Sequence, residues 1–155
     1  MLFTNTKYHY SLRHPPDCYP GSNDYGGIDP SESMSIVLCG LSIEPQDPTT
    51  YQTPYPDMQL PLEEFAEKIW RMNAEDKNPS VQGKRVGPLL QVTLANHAAY
   101  TFTLDVSYTD YRGGMLLEKE NTVVIFSDGK MNFISLYESA DERAKSILNS
   151  LTFER

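Results

Sequence analysis

Apolar and polar positions alternate most plainly in the last third of the chain. Tyr100, Phe102, Leu104, Val106 and Tyr108 point one way, and Thr101, Thr103, Asp105 and Ser107 the other. This is the period-two pattern of a strand with one buried face. Two further strand-like runs, over 122–126 and 131–137, flank Ser127-Asp-Gly-Lys130. Glycine takes positive φ without strain, so the Asp-Gly step predicts a hairpin between them. Ser139 stands three residues before Glu142, the spacing of a capping box, and predicts a helix running toward Leu148. On it Ala140, Ala144, Ile147 and Leu151 share a face, and Asp141 and Lys145 form a four-residue pair. A short end strand over 151–153 follows.

Earlier in the chain, Tyr8, Tyr10 and Leu12 alternate on one face of a first strand over 7–13. His14-Pro15-Pro16 stops it, since proline cannot donate to a ladder. Residues 17–31, rich in Gly, Pro, Asp and Asn, read as a loop. Residues 33–43 predict one strand, with Met34, Ile36 and Leu38 on one face and Val37, Cys39, Leu41 and Ile43 on the other. Apolar residues on both faces mark a central strand covered on both.

Residues 44–60 hold Pro45, Pro48, Pro54 and Pro56, with Tyr51 and Tyr55 among them. So long a structureless connection in a compact domain is either functional or loosely held. Pro61 then suits the first turn of a helix whose stripe is Leu62, Phe65, Ala66, Ile69 and Met72, flanked by Trp70. Residues 73–84 read as a polar loop, 89–94 and 98–108 as strands paired through Asn96-His97, and 109–114 as a connector. The order of elements predicts a single α+β domain over 1–155, a mostly antiparallel sheet with helices covering it.

A length of 155 residues, with 39% hydrophobic and 22% charged, suits one domain with a sizeable core. The formal charge of -8 argues against nucleic acid, which needs clustered Lys and Arg to displace counterions, and against adsorption to anionic lipid. No run approaches the roughly 18 apolar residues that cross a bilayer, and residues 1–7 lack the apolar core of a signal peptide.

Patterns for phosphate, dinucleotide, zinc-protease, serine-hydrolase or EF-hand chemistry do not occur in the sequence. His9, His14 and His97 have no ligand spacing, so no metal or other cofactor is expected. Cys18, four residues from His14, is the sharpest candidate nucleophile. Its neighbours Asp17, Asp24 and Asp29 are acidic, which works against a thiolate. Calcium needs several oxygens from a tight loop, for which 23–29, with Asn23, Asp24 and Asp29, is only a weak candidate. Cys18 and Cys39, the only cysteines, are either two free thiols or one disulfide. Loop tyrosines Tyr19, Tyr25, Tyr51, Tyr55 and Tyr111 either present rigid area to a partner or pack on their own domain.

The front of the chain reads Tyr8-His-Tyr-Ser-Leu-Arg-His-Pro-Pro-Asp17, and the back reads Thr122-Val-Val-Ile-Phe-Ser-Asp-Gly-Lys130, then Ile147-Leu-Asn-Ser-Leu-Thr-Phe153. Together these resemble the Mog1/PsbP-like family, which includes bacterial lipoprotein ectodomains and DcrB-like proteins. The front resembles its "Y-G-F-S-x-x-Y-P-x-x-W" opening and the back its "I-L-x-S-F-x-F" close. Cys18 stands where the family has tryptophan, and His9 where it has glycine. The resemblance implies an α/β/α sandwich and a non-enzymatic accessory or binding role. It carries over no catalytic residues. With Cys18 packing at the aromatic position, the two cysteines are expected to be free thiols.

The resemblance thus implies a protein- or peptide-binding module, the soluble ectodomain of a bacterial envelope (lipo)protein, a setting that would fit a Met1 placed after a removed leader. The alternatives are a cytoplasmic small-GTPase regulator of the Mog1 type and, last, a thiol- or metal-dependent hydrolase. Tyr51, Tyr55 and Asp57 are the candidate partner contacts, because prolines lower the entropy lost when their loop is ordered.

Overall fold

The computed structural model describes residues 1–22, 24, 27–45, 60–75, 81–109, 116–127, 131–137 and 142–153. The chain opens with a hairpin of β1 (Leu2–Asn5) and β2 (Tyr10–Arg13), in register from Leu2↔Arg13 to Asn5↔Tyr10. The single strand expected over 7–13 is therefore corrected. His9 sits at φ 57, outside strand geometry, and residues 6–9 form the turn. Tyr8, Tyr10 and Leu12 are nonetheless buried, so the pattern marked burial correctly and the backbone wrongly.

The strand expected over 33–43 is likewise two: β4 (Ile36–Leu38) and β5 (Leu41–Pro45), preceded by the short β3 (Gly21–Ser22). Cys39 and Gly40 lie between them at φ 45 and 79, the positive pair of a tight hairpin turn. Ile36 pairs with Ile43 and Leu38 with Leu41, so residues that looked two-faced along one strand share one face across a hairpin.

Helix α1 (Leu62–Glu75) follows, its first turn closed by Phe65 N–H to Pro61 O at 3.0 Å. Phe65, Ala66 and Ile69 are buried, whereas Met72 is 42% exposed, so the apolar stripe ends one turn early. The expected polar loop over 73–84 contains the start of a strand, β6 (Val81–Val86), too polar to be read as one. Then come β7 (Leu90–Leu94), β8 (His97–Thr109), β9 (Leu116–Ser127) and β10 (Met131–Tyr137). The β7–β8 turn is Ala95-Asn96, both at positive φ, one residue before the expected place. Helix α2 (Glu142–Asn149) and β11 (Thr152–Phe153) follow. The expected cap Ser139 and Asp141 lie outside the described residues. Lys145 meets Glu142 at 2.6 Å.

Every strand pairing described is antiparallel. The large sheet runs β3-β4-β5-β10-β9-β8-β6, with β7 also on β8, and a small sheet runs β1-β2-β11. Alternation gives the large sheet two apolar faces. On one, Phe102 and Ile125 meet Phe65, Ala66 and Ile69 of α1. On the other, Ile43, Ile134, Val124 and Phe126 join Tyr10 and Leu12 of the small sheet and Ala144 and Ile147 of α2. Helices thus cover both faces, and the fold is a mostly antiparallel α+β sandwich.

Between β6 and β7 the chain breaks at Gly87-Pro88. Gly87 N–H bonds Thr103 O at 2.8 Å, and Trp70 Nε1–H donates to Gly87 O at 2.8 Å, locking the break to α1. A Cβ at Gly87 would overlap Thr103 Oγ1. Gly87→Ala is expected to destabilise the fold by about 1 kcal/mol, the overpacking penalty less a small entropy gain. Thr103→Ala in the same chain should recover most of it in urea unfolding. Equal cost with and without Thr103 would refute the contact.

Candidate functional site

Tyr51, Tyr55 and Asp57 lie outside the described residues, so their geometry is not stated. Their segment, 46–59, leaves β5 at Pro45 and reaches α1 through Leu60 and Pro61. On α1 itself an open hollow of about 400 Å³ is lined by Glu64, Glu67, Lys68, Arg71, Met72 and Glu75. Arg71 is tied to Glu67 at 2.6 Å along the helix, an exposed pair of little energetic weight.

The front loop carries the chemistry that the sequence singled out. Cys18 and Cys39 are disulfide-bonded, with Cα atoms 5.5 Å apart. This corrects the expectation of two free thiols. The turn at Cys39-Gly40 brings one sulfur to the end of the β4–β5 hairpin, and the Pro15-Pro16 corner brings the other to meet it. Neither event is visible in the spacing. The Cys18 sulfur is thereby spent on a structural bond. The neighbouring His14 ring is buried, its Nδ1–H donating to Pro15 O at 2.9 Å.

Asp24 organises the rest of the loop. Its carboxylate accepts from Met34 N–H at 2.7 Å, Ser33 Oγ at 2.9 Å and Ser35 N–H at 3.3 Å. Asp29 Oδ1 accepts from Ser31 N–H and Oγ, and these bonds hold its carboxyl below the ordinary range. The Asp24 and Asp29 oxygens considered for calcium therefore hold loop main chain and hydroxyls, while Asn23 lies outside the described residues. Asn5 Nδ2 reaches Ser33 O at 2.8 Å and Pro30 O at 3.2 Å, tying the loop to β1. Arg143 of α2 meets Asp17 at 2.6 Å beside the disulfide. Among the described residues no group of three His, Cys, Asp or Glu comes together as a metal set. No helix among them is long and apolar enough to cross a membrane.

The sequence located the strand at 89–94 but not its setting. Leu90, Gln91, Val92 and Thr93 are all exposed, on both faces of β7. Leu90 at 53% and Val92 at 37% exposure lie on the same side of the strand as buried Leu94. Their adjacency to Thr101 and Ala99 on β8 puts them at the rim of the face that α1 does not cover. Alternation alone assigns such residues to a core. What could have flagged them is the absence of a cationic or prolyl guard inside the strand.

No protein-family model and no curated protein matches this chain. Among solved structures, a Bacteroides thetaiotaomicron VPI-5482 protein, known from a crystal structure at 1.50 Å, superposes with a TM-score of 0.54 at 11% identity. The match covers 99% of this chain and 48% of that one, so this chain spans about half the length of the protein it matches. The solution structure of cyanobacterial PsbP (CyanoP) from Synechocystis sp. PCC 6803 superposes with a TM-score of 0.48 at 13% identity, over 99% of this chain and 92% of that one. At such identities the likeness is one of fold alone.

Proposed function

We propose that this domain is a non-enzymatic accessory or binding module of an oxidising compartment, the cell envelope or another extracytoplasmic space. One observation carries the reading: the Cys18–Cys39 bridge. Disulfides persist where thiols are not continually reduced and are rare in cytosolic proteins. The same bond removes the sharpest candidate nucleophile, so it supports a binding role over thiol hydrolysis and counts against the cytoplasmic GTPase-regulator reading. The proposed partner is a protein or peptide, contacted by Tyr51, Tyr55 and Asp57 on the proline-rich segment between β5 and α1.

Two measurements test this. Thiols trapped by alkylation at the moment of lysis of the source cell should number zero in the monomer, and two trapped thiols would refute the compartment. Crosslinked partners recovered by the wild type should be lost by Tyr51→Ser/Tyr55→Ser at unchanged melting temperature. Identical recovery by both would refute the site.

A further inference from the structure

Strand β7 has one hydrogen-bonded neighbour, β8, and its other edge is free of any described strand. The two-residue turn at Ala95-Asn96 makes Leu94↔His97 a hydrogen-bonded pair, because that is how such turns close. Counting back in steps of two, Val92 and Leu90 also bond inward to Ala99 and Thr101. The N–H and C=O of Gln91 and Thr93 therefore point outward. Among the described residues no hydrogen bond reaches them.

Free edges are normally guarded by charge, proline or a bulge. The β6 half of this edge is guarded: Arg85 is held by Asp105 at 2.7 Å, Lys84 stands next to it, and the Gly87-Pro88 break follows. The β7 half is not. Residues 86–104 hold no Asp, Glu, Lys or Arg, the longest such stretch in a chain of net charge -8. Two copies of so acidic a chain repel one another, and least where their facing surfaces are uncharged.

The segment also matches itself. Leu90-Gln91-Val92-Thr93-Leu94 reads apolar, polar, apolar, polar, apolar from either end. We propose that β7 pairs antiparallel with β7 of a second copy, about a two-fold axis at Val92. Gln91 then lies opposite Thr93 of the second copy, and Thr93 opposite its Gln91. These are the outward-pointing residues, so each pair exchanges both main-chain hydrogen bonds and the edge gains four. Val92 faces Val92 in a non-hydrogen-bonded pair, where opposed side chains come closest. A strand pair antiparallel about this axis keeps the same sheet face on the same side in both copies. The exposed Leu90 and Val92 of each thus fuse into one apolar strip, continuous with Leu94 in each core. The interface is isologous, as closed two-fold dimers require.

An axis at Val92 sets that residue against itself, and this gives the test. Wild type is expected to dimerise in sedimentation equilibrium across micromolar to millimolar chain. Val92→Lys and Val92→Glu, each with unchanged circular dichroism, should both raise the dimer dissociation constant at least tenfold. Their equimolar mixture should dimerise again, since Lys then meets Glu. Val92→Cys, at a position already 37% exposed, should form a covalent dimer under mild oxidation, whereas Leu90→Cys should not, being displaced from its own symmetry mate. A monomeric wild type, charge variants that dimerise unchanged, or a mixture that fails to pair would each overturn the proposal. Equal crosslinking at positions 90 and 92 would overturn the register.

Discussion

Phe126→Ala is expected to lower stability by about 3–5 kcal/mol, the range for truncating a fully buried phenylalanine and leaving a cavity. Phe126 has no exposed surface and stands where the two sheets meet. Its ring lies 5.1 Å from Phe153 of β11 and 6.4 Å from His97 of β8, and Phe153 lies 6.3 Å from Tyr10 of β2. This run of rings passes from the large sheet into the small one. The cavity cannot collapse easily, because its walls belong to two sheets with independent hydrogen-bond ladders. Urea unfolding should show a lowered midpoint with an unchanged slope. A loss under 1 kcal/mol would mean that the small sheet is not docked through this ring. Phe102→Ala, on the α1 face, should cost a similar amount without disturbing β11.

Replacing both cysteines, Cys18→Ala with Cys39→Ala, is expected to cost about 3 kcal/mol, the chain-entropy value for a loop of this size. The bridge spans a sequence separation of 21. The melting temperature should fall by roughly 10 °C. Added reductant should destabilise the wild type by a like amount and leave the double variant unchanged. That difference separates the bond from the packing of two small side chains. If reductant moves neither protein, the bridge is absent in solution, and the proposed compartment fails with it.

Much of the fold was legible in the sequence because it depends on local periodicity. The strands around Phe102 and Val124, helix α1 with Phe65 and Ile69 inward, and α2 with Ala144 and Ile147 inward all follow from residue spacing. Those patterns persist whatever the chain packs against, since a pleat repeats every second residue and a helix every 3.6. Besides the start of β6, too polar to be read as a strand, the boundaries that failed include those set by positive φ at residues other than glycine. His9, Cys39 and Ala95 each take the left-handed region inside what reads as continuous strand or beside an expected turn. Such conformations cost about 1 kcal/mol or more and persist only where surrounding contacts hold them. A sequence does not display those contacts.

The same division runs through the candidate sites. By itself the sequence determined an acidic α+β domain, the inward faces of both helices and most strands, and the lack of a recognisable catalytic motif. These are sums over residues or repeats along the chain. The tertiary structure alone decided that Cys18 meets Cys39, that Asp24 holds the main chain of Met34 and Ser35, and that β7 lies at an edge with Leu90 and Val92 exposed. Each of these depends on which segments, distant in sequence, lie side by side. Hydrophobic alternation specifies that a strand face is to be covered, but not what covers it, because burial is non-directional and many partners satisfy it equally.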